Sequence, residues 1–140
     1  MATVAVGRRG SIVTRATTDK SILRSYLERD RLYAAYAICD LEEREFARTR
    51  WGVAWDGDAP IALVLEYNGP TPQPLFAMGR EDGIAAILRD LIRPRVAYVA
   101  APASVLPAIE TAYRVDPGPS MVRMWVDRAH FRPYPATVQR

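Results

Sequence analysis

A chain of 140 residues, 49% hydrophobic and 25% charged, has the ordinary balance of one globular domain, long enough to bury a core of ordinary size. Its single cysteine, Cys39, and single histidine, His130, exclude a disulfide framework within the chain and any metal site built from several Cys or His ligands. The net charge of +3 rests almost wholly on arginine, with Lys20 the only lysine, and the arginines are spread along the chain (Arg44, Arg48, Arg89, Arg95, Arg123, Arg132), which does not favour a nucleic-acid partner.

No apolar run approaches the roughly 18 residues of a membrane span. The opening MATVAVGRRGSIV has no signal-peptide apolar region, so a cytoplasmic location without membrane contact is expected. In chain order, a short strand is expected near Ser11–Thr14. Asp19 then reads as the cap of a helix whose stripe is Ile22, Leu23, Tyr26 and Leu27. Asp30 is placed to cap a second helix carrying Leu32, Tyr33, Tyr36 and Cys39, with the cysteine read as a small core residue rather than a reactive thiol. Asp40 followed by Glu43 resembles a capping box for a third, short helix bearing Phe46.

The pattern changes at Trp51. WGVAW (51–55) reads as a strand, and Asp56-Gly57 as a hairpin turn. IALVLEY (61–67) alternates Ile61, Leu63, Leu65 and Tyr67 with Ala62, Val64 and Glu66, which suits a strand covered on both faces. Pro72 and Pro74 delay the third strand of this meander, PLFAM. Beyond Gly83, Ile84, Ile87, Leu88, Leu91 and Ile92 form a helical stripe that Pro94 ends. VAYVA (96–100) reads as a short buried strand, and Ser104 as the cap of a helix with Val105, Leu106, Ile109 and Tyr113. After the loop Asp116-Pro117-Gly118-Pro119, MVRMWV (121–126) reads as the last strand, and 128–140 as a polar tail.

A meander running into strand–helix–strand units predicts an α/β fold with a mixed, mostly antiparallel central sheet and helices on both faces. That order, with a glycine-marked turn between a central strand and the next helix, resembles the GNAT superfamily of N-acetyltransferases. The stretches YAAYAICDLE, LFAMGREDGI and MVRM resemble the N-terminal domain of bacterial two-domain GNAT proteins, over roughly residues 19–127. The resemblance implies a GNAT-like domain over 1–127 and a tail or linker over 128–140 leading toward a second GNAT domain.

GNAT enzymes hold the acetyl-CoA pyrophosphate on a turn of pattern Gln/Arg-x-x-Gly-x-Gly/Ala at a helix N-terminus. The corresponding stretch is Ala77-Met78-Gly79-Arg80-Glu81-Asp82-Gly83, so Gly79, Arg80 and Gly83 are the candidate cofactor contacts. The spacing departs from the pattern, and Glu81 and Asp82 stand where the anion would sit. Glu66 is the candidate catalytic base, since a strand carboxylate can deprotonate an attacking amine. It can equally be a strand-end carboxylate that meets solvent or an arginine. By the same analogy Tyr67 is a candidate general acid, although its apolar alternation also suits the core. Tyr33, Tyr36, Trp51 and Trp55 either line an acceptor pocket or pack the core. Arg123 is a rim residue, or binds an anion or a neighbouring domain's carboxylate.

Three functions follow. In the first, this is the N-terminal domain of a GNAT-type N-acetyltransferase without a complete CoA site, paired with a downstream GNAT domain that binds acetyl-CoA and acetylates an unidentified amine. In the second, it is a self-sufficient acyl-CoA-dependent transferase. In the third, it is a non-catalytic ligand-binding or dimerisation module that pairs with a second copy of itself.

Overall fold

The computed structural model describes residues 11–134; the tail reading of 128–140 therefore lies in part, at 135–140, outside the described residues, as do residues 1–10 of the N-terminal domain reading. The chain runs β1 (Ile12–Ala16), α1 (Lys20–Leu27), α2 (Ala35–Cys39), α3 (Glu43–Phe46), β2 (Thr49–Asp56), β3 (Ala59–Tyr67), β4 (Gln73–Gly79), α4 (Glu81–Asp90), β5 (Ala97–Ala100) and α5 (Leu106–Glu110). The five strands form one sheet in the order β1-β2-β3-β4-β5. Each neighbouring pair is antiparallel except β4 with β5, which is parallel and is joined through α4. The fold is thus α/β with a mixed, mostly antiparallel sheet.

The period-two alternation of β3 sorts the core into two layers. Ala62 and Val64 pack with Ala54, Leu75, Ala77, Ile84, Ile87 and Leu88 on the face that α4 and α5 cover. Leu63 and Leu65 pack on the other face with Trp51, Val53, Leu23, Tyr26 and Leu27, under α1 and α2. The α4 stripe buries Ile84, Ile87 and Leu88 completely or nearly so. Burial of one such aliphatic side chain is worth about 1.5–3 kcal/mol, so this stripe, more than intrinsic propensity, holds the ten-residue helix in place.

Asp19 caps α1 as expected, its carboxylate accepting from the Ser21 and Ile22 amides at 3.0 and 3.4 Å. Those hydrogen bonds, first the one from the Ser21 hydroxyl, hold its carboxyl below the usual aspartate value.

Several elements differ from the sequence expectation. The second helix begins at Ala35 rather than after Asp30, whose carboxylate instead accepts from the Tyr33 amide within the preceding turn. The third helix is entered from Glu42 without a side-chain cap, so the Asp40–Glu43 box does not form. Ser104 lies inside a one-turn 3-10 segment, Ala103–Val105, ahead of α5. Cys39 is exposed at the end of α2, whose one buried residue is Ala37, so it is no core residue.

VAYVA is an edge strand with alternating burial, Tyr98 standing 62% exposed, because β5 is covered on one side only. MVRMWV forms no strand. Met121, Val122, Met124, Trp125 and Val126 are exposed, and the outer edge of β5, the nearest free ladder in the strand order, is left unpaired among the described residues. Among the described residues, no helix is long and apolar enough to cross a membrane.

Candidate functional site

Three places on the sheet carry the residues singled out from the sequence. The first is the β4–α4 turn. Gly79 sits at φ +114°, a conformation that side-chain-bearing residues rarely adopt. An added Cβ there would lie 2.4 Å from the Ile61 carbonyl and 2.7 Å from Ala62 Cα. Gly83 lets α4 approach the sheet, since a Cβ on it would lie 2.7 Å from that of Ala62. Both glycines therefore answer to chain reversal and packing.

The first turn of α4 is already occupied by protein charge. Asp82 accepts from its neighbour's amide, Gly83 N, at 2.9 Å and from Arg80 Nη2 at 2.6 Å. Arg80 reaches on to Asp56 at 3.4 Å, tying the helix start to the β2–β3 hairpin. A groove of about 460 Å³ runs beside this turn, lined by Arg80, Glu81, Asp82, Ala85, Pro107 and Thr111 among others. An amide that would face a diphosphate is thus spent on the Asp82 carboxylate, and the one guanidinium is shared between that carboxylate and Asp56. These residues do not fit a diphosphate anion.

The hydrogen bond from Arg80, followed by the Gly83 amide and the Arg80 charge, holds Asp82 below its ordinary value of 3.8 despite partial burial. The folded value is depressed, so the stabilisation is present above the ordinary carboxylate range and is lost as pH falls through the lowered value. An Arg80→Gln variant is expected to melt below the parent at neutral pH, with the gap closing as Asp82 protonates in acid. Melting curves across the acid range check this; a gap that stays constant with pH contradicts it.

The second place is the fork between β4 and β5. Their pairing covers Gln73–Phe76 against Ala97–Ala100, and β4 then runs on to Gly79 without β5. Tyr33 closes this fork: its hydroxyl donates to the Ala77 carbonyl at 2.6 Å, and the Ala100 carbonyl lies 3.4 Å away. Its ring stacks on Phe76, with centroids 4.9 Å apart. Burial pushes the Tyr33 phenol well above the ordinary tyrosine value, which keeps it a neutral donor.

Arg123 joins this group, its guanidinium 5.4 Å from the Tyr33 ring centroid and 5.5 Å from that of Tyr36, while donating to the Leu32 and Tyr33 carbonyls. Three of the four candidate pocket residues, Tyr33, Tyr36 and Arg123, therefore meet. Trp51 does not meet them: it is 2% exposed and stacked near Phe46 in the core, as Trp55 is packed against the same layer. Tyr67, for its part, donates its hydroxyl to Glu45.

The third place is the cavity at Glu66. Glu66 follows Val64 on the α4 face of β3, whereas the aromatic group lies on the α1–α2 face. The candidate base and the candidate acceptor pocket are thus on opposite faces of the sheet. Glu66 pairs across the ladder with Leu75, and Ala62 with Gly79, so the carboxylate and the glycine turn stand about 13 Å apart along the strands. Glu66 is only 8% exposed and has no hydrogen-bond or ion-pair partner among the described residues.

It lines a cavity of about 350 Å³ with Arg50, Leu88, Arg89, Asp90, Arg93 and Pro94. Arg50 lies directly opposite Glu66 in the β2–β3 register. Sequence reading missed Arg50 and Arg93. The only signal for Arg50 was its place six residues before the Asp56-Gly57 turn. Among the described residues, no cluster of His, Cys, Asp or Glu is arranged to hold a metal ion.

No family model, no curated protein and no solved structure matches the chain.

Proposed function

We propose that the chain is the half of a GNAT-type N-acetyltransferase that does not grip the cofactor. A downstream domain binds acetyl-CoA and transfers the acetyl group to an amine, while this half shapes the acceptor side and the inter-domain surface. The observation that carries the reading is the β4–α4 turn. A parallel β4–β5 pair forks ahead of a positive-φ glycine and a helix start, the frame in which a phosphate is held. Yet Asp82 and Arg80 fill that helix start with their own charges. The exposed apolar run at 121–126 supports the same reading, as a surface for the following domain to cover.

The test is calorimetry of the 140-residue chain with acetyl-CoA, beside an acetyl-transfer assay on the product of the gene read onward from Arg140. No heat from the chain and turnover by the longer product are expected. Saturable acetyl-CoA binding by the chain alone, or a gene that ends at Arg140 without a partner transferase, overturns the reading. A second reading, a ligand-binding module without turnover, is favoured by the Glu66 cavity.

A further inference from the structure

We propose that the cavity under the end of α4 binds a small zwitterion, whose ammonium group meets Glu66 and whose carboxylate meets Arg50 and Arg93. The inference stands on this cavity alone and does not require the acyl-transfer reading. Its first support is Glu66 itself. Glu66 is 8% exposed as a residue, but its carboxylate oxygens are not sealed off: among the described residues no buried side-chain oxygen lacks a partner, and Glu66 takes none from the protein. The carboxylate therefore opens onto the cavity, with its oxygens free to meet a ligand that enters it.

The second support is the sign and disposition of the surrounding charge. Arg89 is committed, its guanidinium donating to both oxygens of Asp90 at 2.9 Å each. Arg50 and Arg93 line the same cavity and make no ion pair among the described residues. Arg50 faces Glu66 across the ladder without closing to ion-pair distance, which leaves a gap between opposite charges. A simple cation placed there is repelled by two guanidiniums, whereas a simple anion meets the guanidiniums but leaves Glu66 without a partner. A molecule carrying both charges satisfies both walls, and the mismatch discriminates against the singly charged halves.

The third support is the holding of the wall. Tyr113 Oη donates to the Pro94 carbonyl at 2.7 Å, fixing the Arg93–Pro94 turn, and Leu88 supplies the apolar floor. A cavity of about 350 Å³, set against roughly 30 Å³ for each water in the liquid, suits a ligand of about ten non-hydrogen atoms or fewer. That is the size class of free amino acids and short ω-amino acids.

The experiment is calorimetric titration of the full chain with the linear ω-amino acids from glycine to ε-aminohexanoate, with butylamine and butyrate as singly charged controls. Saturable binding is expected for at least one chain length, with both controls at least about tenfold weaker. Glu66→Gln should abolish it. Should that buried substitution fail to fold, Arg93→Gln, at an exposed position, should still weaken binding by about tenfold or more. Three results overturn the proposal: no saturable heat from any member at millimolar concentration, equal affinity for butylamine or butyrate, or unchanged affinity in the folded variants.

Discussion

A Gly79→Ala variant is expected to melt far below the parent chain or to be recovered unfolded. The position stands at φ +114°, where an alanine is strained whatever the space around it. The space is also absent. The new methyl would meet Tyr26 Oη at 2.3 Å, which a side-chain shift relieves, but also the Ile61 carbonyl at 2.4 Å and Ala62 Cα at 2.7 Å, which belong to the central strand. That carbonyl already accepts from the Arg80 amide at 2.9 Å, so moving it disturbs the entry to α4.

Strain and a backbone clash together should cost at least about 3 kcal/mol, a large share of the roughly 5–15 kcal/mol that holds a domain folded. Gly57→Ala is the control. Its φ is +61° and nothing lies within 4 Å of the added methyl, so only the conformational penalty of about 1–2 kcal/mol applies. Urea unfolding followed by circular dichroism measures both. Equal losses at the two positions would mean that the turn between β4 and α4 is looser than described.

Trp51→Ala is expected to remove about 3–5 kcal/mol of stability, the cost of deleting a large buried aromatic. The indole is 2% exposed, stacks near Phe46 with centroids 6.4 Å apart, and donates from Nε1 to Thr49 Oγ1 at 2.6 Å. Truncation leaves a void in the α1–α2 layer and removes one donor to the Thr49 hydroxyl, which keeps its own hydrogen bond to the Phe46 carbonyl at 2.7 Å. Tyr36→Ala, at a ring 76% exposed, should cost far less. Chemical denaturation compares the two. A small loss at Trp51 would restore it as a pocket residue, whereas a large one assigns it to the core.

Much of the frame was written in local pattern. The alternation of Leu63 and Leu65 with Ala62 and Val64 named both faces of β3, and the Ile84–Ile87–Leu88 stripe named α4. The two glycines were visible, but their reasons were not: positive φ at Gly79 and contact with Ala62 at Gly83 depend on partners some twenty residues away. The cavity was hidden by register. Counting back from the Asp56–Ala59 turn pair would set Arg50 opposite Leu65. An irregularity between Ala54 and Trp55 shifts the ladder by one, and Arg50 lands opposite Glu66. A slip of one residue exchanges the faces, so no reading of either strand alone could have joined that pair. MVRMWV failed for the opposite reason. Its composition suits a strand, but strand formation needs a neighbouring ladder, and Arg123 is held by loop carbonyls instead.

The exposed run at 121–126 also makes the C-terminal part of the chain separable. Among the described residues the most C-terminal buried core residue is Ile109, so trypsin cutting after Arg123 removes none of the described core side chains and should leave a folded fragment. A partner that covers this run would slow the cut. The rate of nicking at Arg123 is therefore a footprint of association that requires no knowledge of the partner.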